Sequence, residues 1–171
     1  RCTGGYFLIF TTCKLKSAGN KMKITFHGAA RTVTGSKHLL HINPNKKILL
    51  DCGMFQGMGV QTLELNSQWG FEPRELNYVI ISHGHIDHIG LLPKLVKDGY
   101  KGPIYCTTQT ADLAKILLMD SARIQEADVM HINKQRKKQG RPMVEALYTE
   151  DDAQNVFPLL KTLGYNEPLH I

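Results

Sequence analysis

The sequence predicts an α/β protein whose sheet starts with antiparallel strands and continues with strands that alternate with helices. Three observations predict this class. Runs of alternating apolar and polar residues fill residues 23–50, a β-branched run covers residues 78–82, and apolar residues recur at helical spacing from residue 89 onward. With 171 residues, of which 42% are hydrophobic, the chain is long and apolar enough for one domain with a buried core.

The first strands follow from local patterns. Residues 23–27 alternate as an edge or first strand, and residues 37–42 and 46–50 predict two more strands. Asn43, Pro44 and Asn45 lie between the last two, which favours a hairpin turn. A Gly-rich loop at residues 52–59 follows. The run at residues 78–82 is typical of a strand covered on both faces.

The second half alternates helices and strands. Residues 89–97 predict a helix and residues 102–106 a short strand. A longer helix is predicted over residues 109–129, with a polar outer face opposite apolar residues that recur at three to four positions. These are Leu113, Ile116, Leu117 and Ile124. We expect a basic loop at residues 134–141, a helix that begins at Thr149 to Asp152, and the start of a strand at residues 166–171.

The net charge of +6 is concentrated at the amino terminus. Residues 1–21 contain four basic residues and no acidic one, whereas from Met22 onward 17 basic residues face 15 acidic ones. The charge therefore makes no strong prediction of polyanion binding. Because the sequence does not start with Met and Met22 opens a strand-like segment, we interpret residues 1–21 as an upstream or non-native leader.

Cysteine usage indicates a reducing compartment. The four cysteines form no CxxC pair and no dense framework, which argues against a disulfide scaffold and against a Cys-rich zinc site. They are Cys2, Cys13, Cys52 and Cys106. The apolar run at residues 6–10 is far too short to span a bilayer. We therefore expect a cytoplasmic protein without a membrane partner.

One dense cluster of metal-competent side chains follows the strand at residues 78–82. The sequence His83-Gly84-His85-Ile86-Asp87-His88 places two imidazoles two residues apart, so that on extended backbone they share a face and point at one ion. The turn into the following helix lets Asp87 and His88 reach a second position nearby. A lone histidine or a lone Asp at a strand end is usually structural, but four donors at this spacing predict metal binding.

The HxHxDH motif after an apolar strand resembles the hallmark motif of the metallo-β-lactamase superfamily. Further segments are similar to its RNA-cleaving beta-CASP branch, which includes cleavage-and-polyadenylation nucleases and ribonuclease J. These segments are FHGAARTVTGSKHLL (26–40), ILLDCGMFQG (48–57), ISHGHIDHIGLLPKL (81–95) and LLMDSARIQEAD (117–128). The resemblance extends from Met22 to the end of the sequence.

This resemblance implies an αβ/βα sandwich of the metallo-β-lactamase type that carries two zinc ions. It implies that His83 and His85 bind the first ion, that Asp87 and His88 bind the second, and that Asp51 orients ligands without binding metal. Asp87 and Asp51 are then the candidate catalytic carboxylates. A catalytic zinc requires about three protein ligands. We therefore expect residues 22–171 to be the amino-terminal half of such a domain, truncated before the third metal motif and the beta-CASP insertion.

The implied activity is zinc-dependent hydrolysis of RNA phosphodiesters, with RNA as the partner and homodimerisation left open. Two alternatives remain: a thioester or lactam hydrolase on the same fold, and a noncatalytic fragment that binds RNA through its basic segment. The candidate RNA-binding residues are Lys134, Arg136, Lys137, Lys138 and Arg141. Residues 28–37 are not a nucleotide-binding loop, because Ser36 precedes Lys37, the reverse of the Walker order. We expect the remaining histidines to be noncatalytic: His27, His38, His41, His131 and His170.

Overall fold

The computed structural model describes residues 11–16, 21–57 and 61–170. These residues form a seven-stranded mixed sheet whose strands lie in sequence order. The strands are β1 (Thr11–Lys16), β2 (Lys21–Phe26), β3 (His38–Asn43), β4 (Lys46–Leu50), β5 (Tyr78–Ile80), β6 (Ile104–Cys106) and β7 (Leu160–Thr162). The helices are α1 (Gln61–Ser67), α2 (Ile86–Ile89), α3 (Leu92–Lys97), α4 (Thr108–Lys138) and α5 (Glu150–Gln154).

The sheet changes character at β4. The pairs β1–β2, β2–β3 and β3–β4 are antiparallel, whereas β4, β5, β6 and β7 run parallel to one another. The turn between β3 and β4 is tight, and its Asn45 amide donates to the Asn43 side chain over 2.9 Å. Each parallel connection passes through helices, because parallel neighbours cannot be joined by a hairpin. This mixed α/β architecture confirms the predicted fold class.

The core lies between the central strands and the helices that follow them. Residues on β4, β5 and β6 pack against α3, α4 and α5, and several large side chains there are fully buried. They include Leu49, Val79, Leu92, Leu95, Tyr100, Ile104, Leu118, Tyr148 and Val156. The two cysteines with described side chains, Cys52 and Cys106, are buried and free. None of the described helices is long and apolar enough to cross a membrane.

Part of the segment interpreted as a leader belongs to the sheet. Thr11–Lys16 pair along their whole length with β2, from Thr11 opposite Phe26 to Lys16 opposite Lys21. The leader interpretation rested on charge and on the position of Met22, neither of which reports strand pairing, and it stays a prediction. Residues 1–10 and 17–20 lie outside the described residues.

The predicted helix over residues 89–97 is two short helices. The first, α2, begins within the histidine cluster and ends at Ile89, with Gly90 as its C-cap, and α3 begins at Leu92 with Pro93 in its first turn. The break follows from a long-range contact, since the Leu91 amide donates to the Cys52 carbonyl over 2.9 Å. Helical spacing alone did not predict this break.

The long helix α4 differs from its prediction in length and in its buried face. It continues to Lys138, so the expectation of a basic loop from residue 134 was wrong for four of its five cations. Lys and Arg are good helix formers and favour the carboxyl-terminal end of the helix dipole. The buried face carries mainly small residues, namely Thr110, Ala111, Ala114, Leu118 and Ala122.

The apolar residues that predicted the inner face of α4 are largely exposed. Leu113, Ile116 and Ile124 have 50%, 67% and 54% of their surface accessible. The small side chains on the opposite face let α4 approach the core closely, which larger residues would prevent. The spacing of apolar residues was therefore a correct indicator of a helix and a wrong indicator of its orientation.

The carboxyl-terminal segments also differ in part. The predicted helix start at Thr149 is confirmed, and Thr149 forms a capping box with Asp152 at the beginning of α5. The predicted strand at residues 166–171 is wrong over residues 166–170, where Asn166 adopts a positive φ of 64°. The last strand of the sheet is instead β7, paired with β6 from Leu160 opposite Ile104. Helix α1 was not predicted.

Candidate metal centre

The candidate site lies where β4 and β5 end side by side. Leu50 of β4 is in register with Ile80 of β5, so Asp51, the residue after β4, lies next to the residues after β5. Those residues lead directly into the histidine cluster. The fully buried Val79 anchors β5 in the core, which gives the cluster a rigid support. The carboxyl ends of parallel strands are the usual location of sites in α/β proteins.

The four predicted ligands are arranged as two donor pairs. His83 Nε2 lies 3.0 Å from His85 Nδ1, and His88 Nε2 lies 3.5 Å from Asp87 Oδ2. Two donors that share one tetrahedral zinc lie about 3.3–3.5 Å apart, since the metal–ligand bonds are about 2.0–2.2 Å long. The second pair matches this separation, and the first is slightly closer.

The two pairs are adjacent. The ring of His83 packs against the rings of both His85 and His88, with centroid separations of 4.7 and 3.9 Å. Imidazole nitrogens and a carboxylate oxygen are the donors that zinc takes most readily after thiolates. The donor set therefore fits divalent metal ions. Among the described residues, no group of three or more His, Cys, Asp or Glu side chains is arranged to hold one ion.

Asp51 contacts the second donor pair directly through His88 and the first through Ser82. Its Oδ2 accepts from His88 Nδ1 at 2.7 Å and from the Ser82 hydroxyl at 2.9 Å, and its Oδ1 accepts from the Ser82 amide at 2.8 Å. The Ser82 hydroxyl also lies 3.0 Å from His83 Nδ1. A neutral His88 that donates its Nδ1 proton to Asp51 keeps a lone pair on Nε2 for an ion.

Helix α2 sets the positions of the second pair. His85 is the residue before the helix, and the amides of His88 and Ile89 both donate to its carbonyl. This single turn carries Asp87 and His88, while the fully buried Ile89 holds the helix against the core. The side chains of the pair are thus presented by one turn of backbone.

Close backbone packing behind the site requires glycine at position 53. A Cβ atom on Gly53 would lie 1.6 Å from the carbonyl oxygen of Asp87, which no side chain can tolerate. The Cys52 amide donates to the His88 carbonyl over 2.7 Å in the same region. The loop after β4 and helix α2 are therefore in direct backbone contact.

The buried Lys37 connects the segment before β3 to the loop after β4. Lys37 is 2% exposed, and its ammonium donates to the carbonyls of Gly53 at 2.9 Å and Gly35 at 3.3 Å. It also lies over the Phe55 ring, 4.2 Å from the centroid. Burial lowers the pKa of Lys37 to about 8. Burial also raises the pKa of the nearby Cys52 thiol to about 12, so that this cysteine stays protonated.

Three further histidines lie on or next to the antiparallel strands β2 and β3: His27, His38 and His41. Burial, aided by the charge of Lys37, lowers the pKa of His27 to about 4. Burial also lowers the pKa of His38, although the Asp51 charge opposes this shift. His41 Nε2 lies 3.4 Å from the Thr25 hydroxyl. Two further histidines were expected to be noncatalytic: His131, which contacts Gln135 on α4, and His170 near the carboxyl terminus. That expectation stays a prediction for all five.

The predicted RNA-binding residues and the metal-binding motif lie near opposite ends of α4. Gly84 faces the beginning of α4, where a Cβ atom would lie 3.0 Å from Leu113. Four of the predicted RNA-binding residues lie at the other end of the same helix, and Arg141 follows it. The four are Lys134, Arg136, Lys137 and Lys138. The Arg136 guanidinium donates a hydrogen bond to the Pro142 carbonyl over 2.5 Å.

Sequence reasoning missed the two serines that contact Asp51. Ser36 and Ser82 lie 15 and 31 residues from Asp51 in the sequence, and the sheet brings them together. No local pattern in the sequence marks either contact. The adjacency of parallel strands after β4 and β5 was the available signal for Ser82.

Comparison with known protein families shows to which family the chain belongs. Residues 38–165 match the model of the metallo-beta-lactamase superfamily, and this match includes Asp51 and the whole histidine cluster. The chain belongs to the metallo-β-lactamase superfamily. The resemblance predicted from the HxHxDH motif is thereby confirmed, and the family's name implies metal ions in its members.

Curated relatives share substantial identity with this superfamily member. The ribonuclease TTHA0252 of Thermus thermophilus is 37% identical over 150 residues, which cover 88% of this chain and 30% of that protein. The transcription termination factor FttA of Methanocaldococcus jannaschii is 33% identical over 131 residues, covering 77% of this chain and 18% of that protein. The chain thus spans less than a third of the length of these relatives.

A solved structure shows the same fold. AidC, a dizinc quorum-quenching lactonase, aligns over 96% of this chain and 65% of its own chain, with a TM-score of 0.50 and 18% identity. At this identity the likeness concerns the fold alone.

Proposed function

We propose that this chain is the metal-binding part of a zinc-dependent phosphodiester hydrolase that acts on RNA, in the beta-CASP branch of the metallo-β-lactamase superfamily. The relative from Thermus thermophilus is named a ribonuclease, and the archaeal relatives are named transcription termination factors. The identity to both covers most of this chain, which supports an RNA substrate. We also propose the cytoplasm as its location.

The observation that carries the proposal is the arrangement of the two donor pairs around Asp51. His83 and His85 form the first pair, and Asp87 and His88 form the second. Asp51 accepts directly from His88 and contacts His83 through the Ser82 hydroxyl. A structural histidine turn has no need of such a shared carboxylate, whereas carboxylates commonly fix the tautomers of metal-binding histidines.

Each residue then has a defined part. His83 and His85 would hold one zinc ion, and Asp87 and His88 would hold the second. Two bound zinc ions would lower the pKa of a shared water and stabilise charge on phosphate oxygens. Asp51 keeps the Nδ1 proton on His88, which leaves Nε2 free as a ligand. Asp87 would bring a negative charge that offsets part of the charge of the second ion.

The basic end of α4 supports binding of the RNA strand. From Leu113 near the site to Lys137 the helix rises about 36 Å, at about 1.5 Å per residue. Lys134, Lys137 and Lys138 lie on exposed turns at that end. We propose that they contact phosphates several nucleotides away from the cleaved bond. Such contacts carry no sequence information and weaken with salt.

The test is cleavage of a 5′-labelled single-stranded RNA by the protein at its full encoded length. We expect zinc-supported cleavage that a chelator abolishes, and a loss of roughly 100-fold or more in Asp87→Asn. The control is His131→Ala, which alters an exposed histidine of α4 and should leave the rate unchanged. Thioester and lactam substrates serve as comparators. Cleavage that survives chelation, or hydrolysis of a comparator in place of RNA, would overturn the proposal.

A further inference from the structure

Ser36 joins three separate segments at the rear of the candidate metal centre. It is 4% exposed and lies just before β3. Its hydroxyl donates to Asp51 Oδ2 at 3.2 Å, its amide donates to the Asp87 carbonyl at 2.9 Å, and its carbonyl accepts from the Gly53 amide at 2.9 Å. Every polar group of this residue is therefore used within the site.

The hydroxyl of Ser36 donates to the carboxylate of Asp51, which contacts both donor pairs. Asp51 Oδ2 accepts from the Ser36 hydroxyl, the Ser82 hydroxyl and His88 Nδ1. Ser82 and His88 approach from the segment after β5, whereas Ser36 approaches from the segment before β3. The carboxylate is thus held by donors from two separate segments of the chain. Asp51 also has a positive φ of 58°, an uncommon conformation that its surroundings must maintain.

The backbone groups of Ser36 act on the second donor pair. Its amide holds the carbonyl of Asp87, the residue whose carboxylate faces His88 Nε2. These backbone bonds do not depend on the side chain. The hydroxyl contact can therefore be removed while the backbone contact to Asp87 is retained, which separates the two roles experimentally.

We propose that Ser36 is a positioning residue of the metal centre, whose hydroxyl fixes Asp51 in the orientation that holds His88 for metal binding. This inference rests on the proposed function, because it assigns Ser36 a role in the same centre. Groups that hold metal ligands in place typically change metal affinity by about 10–100-fold when they are removed. Asp51 keeps two other side-chain donors, so the lower end of this range is expected for Ser36.

The experiment measures zinc affinity of the protein at its full encoded length by competition with a chromophoric chelator. Ser36→Ala should bind zinc roughly 10-fold more weakly than the wild type. Ser36→Cys keeps the approximate volume and a weak donor, and should fall between the two. The control is Ser121→Ala, which removes the 2.8 Å contact between the Ser121 and Tyr148 hydroxyls, away from the centre. It should leave zinc affinity unchanged.

The unfolding temperature of the metal-free variants distinguishes positioning from general structural damage. A loss of affinity in Ser36→Ala and not in Ser121→Ala, at similar unfolding temperatures, supports the inference. Equal zinc affinity of the wild type, Ser36→Ala and Ser36→Cys would overturn it while leaving the proposed function intact. If Ser36→Ala does not fold, wild-type affinity in Ser36→Cys would overturn it equally. A wild-type chain that binds no zinc would overturn the proposed metal centre itself, and the role of Ser36 with it.

Discussion

At the scale of single residues, the candidate centre depends on one carboxylate with many donors. Asp51 accepts from the Ser82 amide, from two serine hydroxyls and from His88 Nδ1. Its contacts reach both donor pairs, directly for His88 and through Ser82 for His83. The geometry of the pairs is therefore expected to be sensitive to this side chain, although Asp51 is not one of the proposed ligands.

Replacing Asp51 with Asn tests this dependence. The amide group places a donor where the carboxylate now accepts, so His88 Nδ1 or Ser82 loses its acceptor. We expect zinc affinity to fall by about 10–100-fold, measured by chelator competition. Asp128→Asn is the matched control, since Asp128 is an exposed carboxylate on α4 and lies about 22 Å farther along the helix than Leu113, at about 1.5 Å per residue. Unchanged affinity in Asp51→Asn would contradict the role assigned to Asp51.

The buried His27, the residue after β2, predicts a pH dependence of stability. The pKa of His27 is lowered to about 4, so between pH 6.5 and 4 the unfolded chain binds more protons than the folded one. The free energy of unfolding should therefore fall as pH decreases through this window, by up to about 3 kcal/mol. The lowered pKa values of His38 and His41 act in the same direction.

Urea unfolding of the metal-free chain between pH 6.5 and 5 measures this effect. In His27→Leu the slope of unfolding free energy against pH should be smaller than in the wild type, whatever the absolute stability of the variant. The window stays above the range in which most carboxylates titrate. Identical slopes in the two proteins would show that His27 does not stay neutral in the folded state.

At the scale of elements, α4 shows what a sequence pattern reports and what it does not. Its apolar residues at three to four positions correctly predicted a helix, yet Ala111, Ala114, Leu118 and Ala122 form the buried face. Which face packs inward depends on how closely the helix approaches the sheet, and small residues allow the closest approach. That choice is made by tertiary packing, which local spacing does not encode.

A pair of truncations on α4 checks this orientation. Leu118 is fully buried and Ile116 is 67% exposed, although the helical spacing predicted that Ile116 was the inward residue. Leu118→Ala should cost about 2–5 kcal/mol in unfolding free energy, whereas Ile116→Ala should change it by less than about 0.5 kcal/mol. Denaturant unfolding measures both. A larger loss in Ile116→Ala would place the opposite face of α4 against the core.

The basic end of α4 makes a separate prediction for RNA binding. Lys134, Lys137 and Lys138 were expected in a loop and lie in the last turns of the helix instead. The triple Ala variant should bind single-stranded RNA more weakly, and the slope of log affinity against log salt should decrease by about 0.7 for each phosphate that the variant no longer neutralises. Fluorescence anisotropy across a salt series measures this. The matched control is Lys115→Ala near the other end of α4, and an unchanged slope in the triple variant would remove these residues from the RNA-binding surface.

At the scale of the whole molecule, the sequence predicted features that depend on neighbouring residues. It did not predict contacts between residues that are distant in the sequence and adjacent in the sheet. The strand segments were predictable from their alternating or β-branched residues, and the hairpin turn at Asn45 and the helix start at Thr149 from contacts within a few residues. The donor pairs were predictable for the same reason, as both lie within one six-residue motif. Ser36 and the pairing of β1 were not, since they depend on distant strands becoming neighbours.

The mixed sheet explains why the site lies where it does. The antiparallel half brings Ser36 beneath the loop after β4, and the parallel half places that loop beside the motif after β5. Only where the two halves meet, at β4 and β5, do the carboxylate, the serines and the histidines come together. The position of the candidate centre is thus a property of the whole sheet.

Binding of divalent metal ions by residues 83–88 in the folded chain is the property on which every proposed role depends. Titration of the wild-type protein, at its full encoded length, with Co²⁺ and visible absorption tests it directly, because the spectrum reports both binding and ligand geometry. We predict saturable binding that Zn²⁺ reverses and that His83→Ala and His88→Ala each weaken by at least about 10-fold, while His170→Ala leaves it unchanged. A wild-type chain that shows no Co²⁺ spectrum, or one that His83→Ala and His88→Ala do not alter, would contradict the proposed metal centre.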